Sequence, residues 1–178
     1  GAENASNHVN TTSTGFTLVT DNVNQNGNLF IAWCWKAGGA ASSNTDGSIT
    51  SQVSANTDAG FSIVKWTGNG TNNATIGHGL SQAPELLLGK NLVEAGNWMV
   101  LSSALSSNND FLILNTTSAK LTSSNVTFSP TSTTFGLQAG QFINQNNKAN
   151  IAYAFHSIAG YQKIGSYQGD DSTNESNI

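Results

Sequence analysis

Hydrophobic and polar residues alternate most clearly in two stretches near opposite ends of the chain. Residues 28–36 put large side chains on one face of a strand and small ones on the other, namely Leu29, Ile31, Trp33 and Trp35 against Ala32 and Cys34. A period of two with β-branched and aromatic residues is typical of a half-buried strand. Residues 150–156 repeat this order, with Ile151 in the place of Ile31. The chain therefore contains an internal repeat with a period of about 120 residues, which is typical of tandem domains.

Shorter alternating stretches between these two predict further strands, separated by turns rich in Gly, Asn and Ser. The predicted strands are 15–20, 29–36, 48–54, 61–66, 74–80, 85–90, 97–105, 110–114, 119–121, 126–128, 135–137 and 150–158. The first two are expected to form a hairpin across the Asn-rich turn at 21–27, and 48–54 to be a short edge strand. Helix is expected at most as a single turn at 93–96. This spacing predicts an all-β fold of antiparallel β-sandwich or jelly-roll-like modules in tandem.

The domain organisation is predicted from the repeat and from the composition of the connecting stretches. Residues 1–47 are interpreted as the end of a preceding β module followed by a linker, because 37–47 is small and polar with paired glycines. Residues 48–159 are expected to form one complete β-sandwich module. Residues 160–178 are either a closing strand or the start of a next module, followed by a polar tail. Since the chain begins with Gly1 inside a repeat, we expect it to be part of a longer polypeptide.

The composition limits the classes of function. Hydrophobic residues make up 37% and charged residues 9% of the chain, so the surface must be solvated mainly by Asn, Ser, Thr and Gln. The six basic residues are outnumbered by ten acidic ones, and none of the six is Arg, which argues against nucleic acid as a partner. No apolar run is long enough to span a bilayer. The single cysteine, Cys34, excludes an intrachain disulfide and is expected to be a small buried residue.

Five motifs resemble a module found in virion proteins of marine tailed phages. They are Gly60-Phe61-Ser62-Ile63-Val64, Gly68-Asn69-Gly70-Thr71, Ile76-Gly77-His78-Gly79-Leu80, Ala83-Pro84-Glu85-Leu86-Leu87-Leu88-Gly89-Lys90-Asn91 and Gly96-Asn97-Trp98-Met99-Val100, together with the aromatic strand at 31–39. The resemblance covers most of residues 13–169. It implies a tandem module of a tail fibre or other appendage, and it transfers no catalytic or ligand-binding residues. The chain departs from the family after Lys90, where the expected basic residue is missing.

Four aromatic residues are candidates for ligand binding. Sugar sites combine Trp or Tyr faces with amide and hydroxyl groups, and Trp66, Trp98, Tyr161 and Tyr167 lie in stretches that supply both. Each also alternates with apolar neighbours, so a position in a core or interface is the alternative interpretation. A carbohydrate-binding module, with a host-surface glycan as partner, is therefore one of the functions considered.

Candidates for metal binding or catalysis are weaker. Asp46 and Asp58 follow the same Asn-Thr pair and could offer oxygens to Ca²⁺, although Asp in turns also bonds its own backbone. His78, between two glycines, and His156, after the aromatic strand, have no second ligand at a suitable spacing. No cofactor and no enzyme activity are expected.

The sequence thus predicts a structural protein of a virion, located in the virion or outside the cell. The first hypothesis is a tail-fibre or appendage segment that contributes to host recognition; the alternatives are a capsid decoration, a head fibre or an extracellular filament. Other virion proteins are the expected partners. A homo-oligomer is also expected, with aromatic side chains buried between chains, but the pattern does not choose a trimer, typical of fibres, over a monomer.

Overall fold

The computed structural model describes residues 9–19 and 24–167, and it confirms the all-β sandwich. The strands are β1 (Val9–Thr11), β2 (Phe16–Leu18), β3 (Ser42–Asn44), β4 (Ser51–Asn56), β5 (Phe61–Thr67), β6 (Ala74–Gly77), β7 (Leu86–Asn91), β8 (Met99–Ser102), β9 (Asp110–Ile113), β10 (Leu121–Thr122), β11 (Ser129–Pro130), β12 (Thr134–Leu137) and β13 (Ala149–Phe155). A 3-10 turn, Phe142–Asn144, precedes β13. The pairs within the sheets are antiparallel, as the alternating pattern predicted.

The large sheet has eight strands in the order β10-β9-β8-β7-β13-β5-β4-β3. Strand β13 lies near its centre, where Ala152 is opposite Val64 of β5 on one side and Gly89 of β7 on the other. The small face of the repeat, Ala152 and Ala154, is fully buried. Small residues are needed on this face because it meets the second layer of the sandwich.

The second layer is a three-stranded sheet in the order β11-β12-β6. The core between the layers contains Trp66, Leu87, Met99 and Leu101 from the large sheet and Ile76, Phe135 and Leu137 from the small one. Trp66 meets Phe135 edge to face, with ring centroids 5.6 Å apart, and its Nε1–H donates to the carbonyl of Ile143 at 3.1 Å. Gly89 leaves room for this packing, because a Cβ there would lie 2.9 Å from Cδ1 of Ile143 and would force that side chain to shift.

The N-terminal part differs from the predicted hairpin. Strand β2 pairs with β1, not with residues 29–36, which form no strand. Residues 20–23 of the predicted turn lie outside the described residues. The alternation at 28–36 predicted a strand because the residue types fit one, but no neighbouring strand in the described chain is aligned with it.

Residues 37–47 also differ from the predicted linker. Strand β3 lies within this stretch and pairs with β4, which is therefore an inner strand and not the predicted edge. Gly38 packs so closely on β4 that a Cβ would lie 2.0 Å from the Ala55 carbonyl oxygen. The paired glycines indicated flexibility, whereas here the missing side chain permits close packing.

Two further predicted strands are displaced. The prediction for 126–128 was wrong, since Val126 and Phe128 are core residues and the strand follows at β11. Residues 160–167 form no closing strand; an isolated bridge joins Ile158 to Gln162, and residues 168–178 lie outside the described residues. No helical residue is assigned at 93–96.

Candidate functional site

The outer face of the large sheet, which points away from the second layer, is strongly apolar. Successive side chains of a strand point to opposite faces of the sheet, so residues one position away from the core residues share the outer face. In strands β5, β13, β7, β8 and β9 these residues include Phe61, Ile63, Tyr153, Phe155, Leu86, Leu88, Val100 and Leu112. Strand β7 is apolar on both faces, as expected for a strand covered on both sides. The run Leu86–Leu88 was the signal in the sequence that could have revealed this second face.

Aromatic rings form a continuous row along the outer face. Trp98 stacks on Tyr153 at a centroid distance of 5.8 Å, and Tyr153 stacks on Phe61 at 6.3 Å. Phe61 then contacts Phe155 at 5.0 Å. Rings at these separations stabilise each other beyond their buried area, by about 0.5–1.5 kcal/mol for each pair. The row is therefore a rigid apolar surface.

Residues 28–36, which we call the aromatic arm, cross this row. Trp35 is stacked on Phe61 at 6.0 Å and meets Phe155 edge to face at 5.5 Å, while Trp33 meets Trp35 edge to face at 6.2 Å. The end of the arm is held on β4, where Asn56 Nδ2 donates to the Lys36 carbonyl at 3.1 Å and Ser54 Oγ donates to the Gly39 carbonyl at 2.6 Å. The arm is thus fixed at one end and lies over the outer face.

The rest of the arm is largely exposed in the part of the chain that the structure describes. Leu29 is 101%, Ile31 85% and Trp33 74% exposed. Cys34 is exposed as well, so the prediction that it is buried was wrong. In β13 the corresponding small residue, Ala154, is buried because that strand has neighbours on both sides and a second layer beneath it. The arm has neither.

A groove of about 570 Å³ lies beside Trp33 and Trp35 on the outer face. We call it the outer groove; its lining includes Leu86, Leu88, Val100, Leu112, Leu114 and Ile164. Gln162 and Ser118 are the polar lining residues, and no charged residue contributes to the lining. The groove can accommodate apolar side chains, and it offers no charge to a polar substrate.

The four predicted ligand-binding aromatic residues do not come together. Trp66 is buried in the core between the layers, which confirms the alternative interpretation for this residue. Trp98 is half-buried and belongs to the aromatic row. Tyr161 and Tyr167 are exposed on the segment after β13. The structure therefore assembles no single aromatic platform from these four residues.

The two weak metal candidates lie at opposite ends of β4. Asp46 is in the turn before the strand, where it accepts a hydrogen bond from Asn44 Nδ2 at 2.8 Å, and Asp58 is in the turn after it. A six-residue strand separates them by roughly 20 Å, so they cannot share one ion. Over residues 9–19 and 24–167, no group of three or more His, Cys, Asp or Glu side chains could hold a metal ion.

Both strand-end histidines are buried. The Leu80 amide donates to Nδ1 of His78 at 3.0 Å, and Nε2 of His78 lies 3.2 Å from the Thr131 carbonyl, which defines a neutral ring with its proton on Nε2. Burial lowers the pKa of His78, and the nearby His156 lowers it further; the Thr131 carbonyl and Asp46 act in the opposite direction without cancelling the effect. In His156, Nδ1 lies 2.9 Å from the Ser157 carbonyl. The contact with the Thr131 carbonyl joins the end of β6 to the turn between β11 and β12.

Asp110 lies at the centre of a cluster of hydrogen-bond donors at the edge of the large sheet. Its carboxylate accepts hydrogen bonds from Lys120 Nζ at 2.7 Å, Thr122 Oγ1 at 2.6 Å and Ser106 Oγ at 3.1 Å. These donors, Lys120 first, lower the pKa of Asp110 to about 2. The cluster connects β9, β10 and the loop before β9, so its role is to hold the edge of the large sheet.

The lowered pKa values of His78 and Asp110 predict that acid destabilises the fold, with the loss due to His78 beginning at the higher pH. The folded-state pKa of His78 is below its unfolded value of 6.5, so its unfolded form binds more protons; the stability it contributes is complete above about pH 6.5 and is lost as the pH falls through the folded-state pKa. The contribution of Asp110 is complete above its unfolded value of 3.8 and is lost as the pH falls through about 2. Urea denaturation at a series of pH values measures both losses. The first loss should disappear in His78→Gln and persist in Asp110→Asn; an unchanged first loss in His78→Gln would contradict its assignment.

The fold and the outer face define an all-β sandwich domain with an exposed apolar surface. A family model matches residues 2–178, and the chain belongs to that family, which is described as a domain of unknown function, DUF7483. Comparison with curated proteins and with solved structures gave no match. In the described part of the chain, no helix has the length and apolar character needed to cross a membrane.

Proposed function

We propose that this domain is a structural segment of a phage virion, located in a tail fibre or another appendage that contributes to host recognition. The observation that carries the proposal is the aromatic arm above an apolar sheet face, because a domain that worked alone in water would gain nothing from exposing these side chains. Exposed apolar patches of this kind usually mark contacts with other proteins. The motifs shared with phage virion modules support the same class. The proposed partners are other copies of this chain and other virion proteins.

The loop 92–97 is the part of this domain that we propose for display towards a host surface. It is held from below by two buried residues of β7: Lys90 Nζ donates to the Gly96 carbonyl at 3.0 Å, and Asn91 Oδ1 accepts from the amides of Val93 and Glu94 at 2.9 and 3.1 Å. Val93 and Glu94 themselves are exposed. A loop with a fixed backbone and exposed tips can bind a partner without a large loss of conformational entropy.

Immunogold electron microscopy tests the location. Antibodies raised against this domain should label tails or fibres of intact particles, and antibodies pre-adsorbed with the purified domain should label nothing. Gold on the capsid would replace the proposal by the alternative of a head decoration. Particles that bind no gold, and that contain no peptide of this chain by mass spectrometry, would overturn the virion proposal altogether.

A further inference from the structure

The exposed arm and the outer groove lie on the same side of the molecule. Leu29 and Ile31 of the arm are exposed, and the outer groove beside the arm is lined mainly by apolar side chains, with Trp33 and Trp35 at its rim. Trp35 and the bonds from Ser54 and Asn56 hold the root of the arm on its own β4 and β5. The apolar part of the arm and the outer groove are therefore both accessible to another molecule.

We propose that the outer face is a self-association surface, on which the aromatic arm of a second copy of this chain lies in the outer groove. When two copies face each other, each arm reaches the groove of the other, so one contact of twofold symmetry satisfies both surfaces at once. This inference names the surface through which two copies of the chain would bind each other. It rests on the proposed function, which makes other copies of this chain partners.

The size of the exposed apolar area supports a second copy. Five arm side chains are exposed, namely Leu29, Phe30, Ile31, Trp33 and Trp35. With their exposed fractions and a full area of roughly 150–250 Å² for each large side chain, they offer on the order of 700 Å². A stable interface buries about 800 Å² on each partner, and the groove supplies additional area. The patch is also larger than the roughly 300–600 Å² that is usual for a monomer.

The charge distribution is consistent with contact between identical chains. Two copies of a chain with net charge −4 repel each other overall, so a contact surface between them must itself carry little charge. Residues 28–35 contain no charged side chain, and neither does the lining of the outer groove. Both surfaces can be dehydrated without burying an unpaired ion.

The internal repeat shows how such a strand packs when it is covered. Ile31, Trp33 and Trp35 correspond to Ile151, Tyr153 and Phe155 of β13, which lie on the outer face. Tyr153 and Phe155 are there packed against the rings of Phe61 and Trp98. The arm therefore has a pattern that is satisfied by an apolar surface, and among the described residues Trp35 makes the ring contacts between the arm and the sheet.

Sedimentation analysis of the whole chain, over a range of concentrations, tests the proposal. The unaltered chain should associate, and two variants should each raise its dissociation constant by about tenfold or more. The first is the arm variant Leu29→Ser with Ile31→Ser, at two exposed positions that do not line the groove, and the second is the groove variant Leu114→Lys. The matched control, Phe142→Ser, removes a similarly exposed apolar side chain from the 3-10 turn, which does not line the groove, and it should change the constant by less than about twofold. Circular dichroism should show the same fold in all four proteins, because the altered side chains are exposed.

A mixing experiment distinguishes arm-in-groove contact from other arrangements. In a mixed pair of the arm variant and the groove variant, one unaltered arm meets one unaltered groove, whereas a pair of either variant alone has no intact contact. The mixture should therefore associate more tightly than either variant by itself.

Three results would overturn the inference: a chain that stays monomeric at every concentration, an interface variant that associates as tightly as the control, or a mixture that gains nothing. Each of these can occur while immunogold still labels the appendage, and self-association can occur in a protein that is absent from particles. Failure of this inference is thus distinguishable from failure of the proposed function.

Discussion

Replacing Trp66 with alanine should lower the free energy of unfolding by about 3–5 kcal/mol, the range for removing a large aromatic ring from a packed core. Trp66 is 4% exposed and fills the space between the two layers against Phe135. Its removal leaves a cavity, and it also leaves the Ile143 carbonyl without the 3.1 Å hydrogen bond from Nε1. Urea denaturation followed by far-ultraviolet circular dichroism measures the change.

An exposed aromatic residue provides the control for this prediction. Tyr167 is 78% exposed, and Tyr167→Ala should change the free energy of unfolding by no more than about 0.5 kcal/mol. The substitution Trp66→Phe separates the packing of the ring from its hydrogen bond, because phenylalanine keeps an aromatic ring in the core and has no N–H to donate to the Ile143 carbonyl. Equal stability losses in Trp66→Ala and Tyr167→Ala would show that the sandwich core is not where the structure places it.

Replacing Asn144 with alanine should lower the free energy of unfolding by roughly 2–4 kcal/mol, because it leaves several polar backbone groups without a partner. The fully buried Asn144 amide Nδ2 donates to the carbonyls of Thr71 at 2.9 Å and Gln138 at 3.2 Å, and its Oδ1 accepts from the Asn69 amide at 3.3 Å. One side chain thus joins the β5–β6 loop to the segment between β12 and β13. Thermal denaturation and urea denaturation both report the loss.

A substitution of the same shape identifies the cause. Asn144→Asp keeps the volume and the acceptor but presents an oxygen to two carbonyl oxygens, so it should destabilise at least as much as alanine. Asn146→Ala, on an exposed neighbour, should have little effect. If Asn144→Asp were as stable as the unaltered chain, the three hydrogen bonds could not be the source of the stability.

Much of the sandwich was predictable because local patterns of apolar and turn residues indicate its strands. The short apolar stretches at 61–66, 85–90 and 110–114, bounded by turn residues, predicted strands, and the strands observed at β5, β7 and β9 lie within one or two residues of these ranges. The candidate site was less predictable. Trp66 and Trp98 look alike in sequence, since each has a valine two positions away, yet one faces the core and the other the aromatic row.

The sequence by itself determined that this chain is all-β, that its surface is nearly uncharged and that one aromatic strand pattern occurs twice. Only the tertiary structure decided that the two copies have different surroundings: residues 149–155 lie between β5 and β7, and residues 28–36 lie unpaired across the outer face. The physical reason is that alternation specifies which side chains share a face, whereas the partners of a strand come from residues distant in the chain. Whether a face is buried or stays exposed depends on those distant partners. Strand β13 has such partners on both sides, whereas the arm has none among the described strands and remains exposed beside the groove.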